Sequence, residues 1–313
     1  MKKNIFYMAM AAFVAFANVA CSSDDDNATE DYTPTLPTPK YESEAVAYTI
    51  PETEADNITT SVPGAPAMTG VNITESGQAV FELDGGKTFK TYKITSISGN
   101  TYTLENGTIQ KVTSAMAPTR GTSTVQLIIN VTIELENGQS CNYSTGGEAV
   151  SAQENKTTNS DDIETYLCRT WTILGVTIEY QEDGKQAVFR EFDNGNLKEM
   201  ADYANEQGAG LTSQELAELN RNISEVVVDK NGLIVFNYSN RPSDAAKWSW
   251  ANSEKTQLRI KLKDSEMGNK FLSDNTAIDI AFKDTRCVLK LKTRITGSKN
   301  YNVALALRLQ SKD

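Results

Sequence analysis

The chain has 313 residues, of which 39% are hydrophobic and 23% charged, a balance that fits a globular protein and excludes wholesale disorder. Its formal net charge is −11, which argues against nucleic acid as a partner, since that requires a basic footprint. Histidine is absent, so Ser-His-Asp and Cys-His nucleophile systems, His-bearing zinc sites and imidazole proton shuttles are excluded as well.

The N-terminus carries the most specific signal. Lys2 and Lys3 form a short basic start, and Ile5 to Ala17 is an almost unbroken apolar run. A basic start, an apolar core of about 7–15 residues and small residues at the end describe a secretory signal peptide. The run is too short for a permanent membrane span, which needs roughly 20 apolar residues. It ends at Asn18-Val19-Ala20-Cys21, with a small residue directly before the cysteine. This resembles the bacterial lipobox, with Asn18 where the lipobox usually carries Leu. The resemblance implies cleavage after residue 20 and acylation of Cys21. Ser22-Ser23-Asp24-Asp25-Asp26 resembles the Ser/Asp-rich export signal of Bacteroidota surface lipoproteins. Residues 1–20 are thus expected to be a lipoprotein signal peptide and residues 21–43 a lipidated cysteine and tether. The tether's Thr33-Pro34-Thr35-Leu36-Pro37-Thr38-Pro39 favours an extended chain. Acyl chains contribute about 0.8 kcal/mol per buried CH₂, so the expected partner is a membrane, and the expected location is the outer surface of the outer membrane.

Residues 44–150 read as strand after strand: Ala45–Ile50, Gly70–Thr74, Gln78–Leu83, Phe89–Ile97, Thr108–Val112 and Ser123–Leu135. Asp84-Gly85-Gly86, Gly99-Asn100, Asn106-Gly107 and Asn137-Gly138 punctuate them with residues that tolerate positive φ, as hairpins require. A β-sandwich or small barrel is expected, with Pro51–Ala67 as a long surface loop. Residues 151–160 are polar and are expected to be a linker.

Residues 161–313 open with a helical turn, Asp161 standing three before Glu164 in a capping-box spacing. Arg169–Tyr180 follows as a strand bearing Trp171. After Gln186–Phe192 come two short helical patterns, through Leu197, Met200, Ala201 and Ala204, and through Leu216 and Leu219. The remainder alternates sharply. Leu258, Ile260 and Leu262 interleave with Arg259, Lys261 and Lys263, and Leu289, Leu291 and Ile295 with Lys290, Lys292 and Arg294. Strands of this kind have one face on a core and one in water. A helical turn, a Trp-bearing strand and about eight antiparallel strands resemble the lipocalin-like domains of Bacteroidota lipoproteins. Arg169-Thr170-Trp171 stands at the place of the lipocalin Gly-x-Trp. The resemblance implies a closed antiparallel barrel, here with a short helical insert, that either holds one small ligand or is filled by side chains.

The candidate ligand-binding residues are Trp171, Trp248, Trp250 and Tyr238. Trp248 and Trp250 are two apart and share a strand face. Facing outward they form a stacking platform for sugar rings; facing inward they are barrel core, the favoured reading. The last 59 positions carry 13 basic against 6 acidic residues, and their stripe of Arg259, Lys261, Lys263, Lys290, Lys292 and Arg294 either holds an anionic glycan or the lipopolysaccharide surface or, the favoured reading, is the wet face of strands. Beyond Cys21, three cysteines remain (Cys141, Cys168, Cys287), which leaves open one disulfide with a free thiol or three buried thiols. No catalytic residue, metal ligand or cofactor is expected. The function expected is a non-enzymatic surface lipoprotein that binds a small apolar molecule or a glycan, the alternative being a structural or adhesive surface subunit.

Overall fold

The computed structural model describes residues 43–112, 123–156, 162–182, 185–206, 213–261, 277–296 and 300–312. Residues 1–42, which hold the signal segment, Cys21 and all but the last residue of the expected tether, lie outside these residues, as do 157–160 of the expected linker, Asp161, Leu262 and Lys263. The chain divides into two compact units, Tyr41–Asp161 and most of Asp162–Asp313. Both are antiparallel β-barrels closed by eight strands.

The first barrel contains β1 (Val46–Thr49), β3 (Met68–Ile73), β4 (Gln78–Leu83), β5 (Thr88–Ser98), β6 (Thr101–Leu104), β7 (Gly107–Val112), β8 (Ser123–Glu134) and β10 (Val150–Lys156). Within the long connection after β1 lie the short helix α1 (Glu52–Ala55) and β2 (Thr59–Thr60), and β9 (Ser140–Ser144) follows β8. Closure depends on β8. Val125, Leu127, Ile129, Val131 and Ile133 alternate along it and all point into the core. One of its edges pairs with β7. The other is shared, Ser123–Leu127 pairing with β10 and Asn130–Glu134 with β9. β10 then pairs with β1, which completes the ring. The linker expected at residues 151–160 is therefore corrected: its first half is the closing strand. Val150, Ala152 and Glu154 face inward there, and only the last is polar. The expected Pro51–Ala67 loop also carries more structure than foreseen, holding α1 and β2, with Ile58 buried in the core.

The second barrel contains β11 (Thr170–Glu182), β13 (Ile223–Asp229), β14 (Leu233–Tyr238), β15 (Asp244–Trp250), β16 (Gln257–Lys261), β17 (Ala277–Lys283), β18 (Arg286–Thr296) and β19 (Asn300–Ser311). Helix α2 (Asp162–Leu167) precedes it, and β12 (Lys185–Phe192), α3 (Leu197–Glu206) and α4 (Ser213–Glu218) form the insert. β11 plays the part of β8. β19 runs along one edge, and the other edge is shared between β13 near Thr170–Thr172 and β12 from Val176 onward. Gly175 sits at the bulge between these regions. A Cβ there would lie 2.2 Å from the Phe192 carbonyl oxygen, so the backbone approach requires glycine. Leu258, Ile260, Leu289, Leu291, Leu305, Leu307 and Leu309 supply the inward faces of the later strands, as their alternation predicts. Leu197, Met200, Ala201 and Leu219 of the insert join the same core.

Candidate functional site

The end of the second barrel beneath α2 gathers three of the four candidate residues or their immediate neighbours. Trp171 is fully buried, and its indole Nε1 donates to the Leu167 carbonyl oxygen at 2.9 Å. Arg169, also buried, stands 5.6 Å from the Trp171 ring centroid. Its guanidinium donates to the carbonyls of Tyr166 and Thr165 and to Ser311 Oγ, at 2.9, 3.1 and 3.2 Å. The last carbonyls of a helix have no partner within it, so these two side chains satisfy the C-terminal turn of α2. Phe282 packs against both Trp171 and Tyr166. Trp171 therefore closes the barrel end and has no polar atom left for a ligand.

Trp248 and Trp250 lie on the inward face of β15, with buried Ala246, and pack against the core while remaining half-buried. Their rings meet edge-to-face at 5.4 Å. Trp250 Nε1 donates to Glu164 Oε1 at 3.0 Å, and Lys255 Nζ donates to the same oxygen at 3.0 Å. The Lys255 ammonium also stands 5.5 Å from the Trp250 ring centroid. Lys255 holds φ of 55°, a left-handed conformation that costs a side-chain-bearing residue on the order of 1 kcal/mol. That strained turn places the ammonium where it ties α2 to β15.

Tyr238 lies at the C-terminal end of β14, away from this cluster in the strand register, and packs against the core from a half-buried position. Arg221 and Arg241 guanidiniums flank its ring at 5.7 and 5.6 Å. Arg221 Nη1 also bonds Asp244 Oδ2 at 2.7 Å. Burial, with the Asp244 carboxylate beside it, pushes the Tyr238 hydroxyl's pKa well up. The structure thus brings Trp171, Trp248 and Trp250 to one barrel end and leaves Tyr238 out. Of the basic residues, Lys292 bonds Asp279 across β17 and β18 at 2.7 Å, and Asp279 also accepts from Gln257. Burial raises the Asp279 pKa, but these two bonds outweigh it and hold the carboxyl below its ordinary range.

In the first barrel, an open groove of about 330 Å³ lies at the end where β1, β4 and β8 finish. Val62, Pro63, Ala65 and Pro66 from the long connection form one wall, and Leu83 and Leu135 the floor. Asp84, Glu136 and Gln139 are exposed at its rim, and Lys90 lines it from the face of β5 that lies beside Phe81. The wall is fixed by hydrogen bonds: Tyr143 Oη donates to the Pro66 carbonyl at 2.9 Å, and Ser61 and Asn142 exchange bonds at 2.8 and 3.0 Å. Asp84 holds φ of 49° and accepts the Ala67 amide through Oδ1 at 2.9 Å. Asn137 is engaged with Gln139 twice, side chain to side chain at 2.7 Å and amide to side chain at 3.0 Å.

Deeper in the same barrel, Lys111 Nζ bonds both carboxylate oxygens of Glu154, at 2.7 and 2.9 Å, and Ser123 Oγ adds a third bond at 3.2 Å. Burial, and then Tyr102 beside it, raises the pKa of neighbouring Tyr48 strongly.

No family model matches the chain, and no curated protein matches it. Among solved structures it is similar to a protein of unknown function from the DUF3598 family of Nostoc punctiforme, at 10% identity, over 86% of this chain and 96% of that one. The TM-score of that superposition is 0.18, too low to carry an argument about this chain.

Sequence reasoning missed Glu164, Lys255 and the groove. Glu164 and Lys255 are 91 positions apart and meet only once the barrel is closed. The groove did leave a trace: Asp84-Gly85-Gly86 and Asn137-Gly138 were legible as turns, and β4 and β8 bring both to one barrel end.

Proposed function

We propose that this chain is a lipoprotein of the Bacteroidota type, cleaved before Cys21, acylated there and displayed on the outer membrane. There it acts by binding a small molecule rather than by catalysis. Its second domain is lipocalin-like: a helical turn and a Trp-bearing strand lead into a closed eight-stranded barrel, which supports the resemblance. The observation that carries the binding half is the open groove on a barrel whose described inward side chains pack in one core. Its volume lies at the lower bound of about 300–1,000 Å³ found for ligand sites. Among the described residues, no helix is long and apolar enough to cross a membrane.

Two measurements test this. Detergent phase partitioning of the wild type and of Cys21→Ala, expressed in the native host, should move the protein from the detergent phase to the aqueous phase. Unchanged partitioning would end the lipoprotein reading. Native mass spectrometry of the host-purified protein should show a retained small molecule. A consistently empty chain would favour the structural or adhesive subunit instead.

A further inference from the structure

We propose that the groove at the end of the first barrel is a site for a neutral, polyhydroxylated ring, a glycan segment of one or two sugars. This rests on the reading of the chain as a binding protein and assigns the chemistry of its site. The floor and wall are aliphatic: Val62, Pro63, Ala65, Pro66, Leu83 and Leu135 offer C–H surface to the less polar face of a sugar. The rim offers hydroxyl partners. Asp84 uses Oδ1 on the Ala67 amide, which leaves Oδ2 to accept from a ligand. Gln139 gives its Oε1 to Asn137, which leaves the Nε2 amide to donate.

Other ligand chemistries fit less well. An apolar molecule would strip water from Asp84 Oδ2 and the Gln139 amide with no hydrogen bond in return. A free anion meets two carboxylates on the rim, and a free cation meets the Lys90 ammonium. A peptide adding as a strand needs an unpaired backbone edge. Here the Ser61 amide and the Asn142 carbonyl bond each other, the Asn142 amide takes Ser61 Oγ, and Tyr143 takes the Pro66 carbonyl. A ligand without charge, carrying donors and acceptors around an apolar face, meets every part of the lining.

The test uses the mature acylated chain in a detergent without a sugar headgroup. Maltotriose, cellobiose and N,N′-diacetylchitobiose are the probes, read by saturation-transfer NMR and titration calorimetry. At least one should bind at millimolar concentration, with its ring C–H protons on one face saturated most strongly. Asp84→Asn keeps the acceptor for Ala67 but replaces the free acceptor by a donor; Gln139→Ala removes the free donor. Each should weaken binding about three- to ten-fold, the worth of one hydrogen bond. No saturation transfer from any probe at tens of millimolar would overturn the proposal. So would binding that both variants leave unchanged, or a groove that takes tetralysine and ignores all three sugars. In those cases a ligand retained by the host-purified protein would keep the binding reading alive and place its site elsewhere; an empty protein would end both.

Discussion

Lys111→Met tests the reasoning about the interior of the first barrel. Glu154 points inward from the closing strand with its side chain 5% exposed, and Lys111 is 27% exposed. The substitution keeps the aliphatic stem and removes the ammonium. Glu154 is then left with the Ser123 hydroxyl alone among the bonds now made to it. Breaking a buried pair by removing one partner costs about 3–5 kcal/mol. Lys111 lies near enough to water for some rehydration of the carboxylate, so the lower end applies, about 3 kcal/mol. That is a large share of the roughly 5–15 kcal/mol by which a domain is stable. Urea unfolding of the chain from Ser22 onward, followed by far-UV circular dichroism, measures it. The double variant Lys111→Met/Glu154→Leu removes the stranded charge and should recover most of the loss, because buried pairs exchange for apolar residues at little cost. A single-variant loss below about 1 kcal/mol, or a double variant no more stable than the single, would refute the claim that this pair is a buried, mutually dependent unit.

Three further outcomes follow from the described contacts. Tyr48, Tyr143 and Tyr238 have their pKa values raised chiefly by burial, Tyr143 to about 12. A folded pKa above the unfolded value means stability that is intact below about pH 10 and declines as pH rises towards 12, so phenolate absorbance should show these rings ionising late and together with unfolding. Cys141, Cys168 and Cys287 are buried thiols outside any disulfide, and burial pushes the Cys287 thiol well above its ordinary pKa; none should react with a thiol reagent in the native state, and all three should react in guanidinium. Glu164→Ala removes the shared acceptor of Trp250 and Lys255, which should cost about 1 kcal/mol and shift tryptophan emission to the red; an unchanged spectrum would mean α2 is not tied to the Trp pair.

Legibility in the sequence followed the contrast between the two faces of each strand. Leu258, Ile260, Leu289 and Leu291 alternate with charged residues, so the strands of the second barrel could be placed. β10 could not, because its inward positions are Val150, Ala152 and Glu154 and its outward ones are polar too. An inward carboxylate erases the pattern, and it is tolerated only because Lys111 arrives from β7, 43 residues earlier. β6 and β9, of four and five residues, are too short to show a period, and their partners supply their order. The candidate tryptophans stood out by residue type, yet what they do was set by Glu164, Lys255 and the Leu167 carbonyl, which no local spacing reveals.

Both barrels close in the same way: a strand of 12 or 13 residues gives one edge to a single neighbour and divides the other between two. Eight strands leave an interior only just wide enough for side chains or one small ligand. Here the inward aliphatic and aromatic residues of each barrel pack as one core. Space for a ligand is then found at the ends, where turns rather than strands set the shape. In the second barrel, the end beneath α2 is closed by Trp171, Arg169 and the Glu164–Lys255 tie. In the first, the Val62–Pro66 wall stops short of the turns after β4 and β8, and the gap is the groove. Turn residues can change without disturbing the ring of strands, so specificity placed there is separable from stability. Substitutions at Asp84 or Gln139 should accordingly alter binding while leaving unfolding almost untouched, the reverse of what Lys111→Met does.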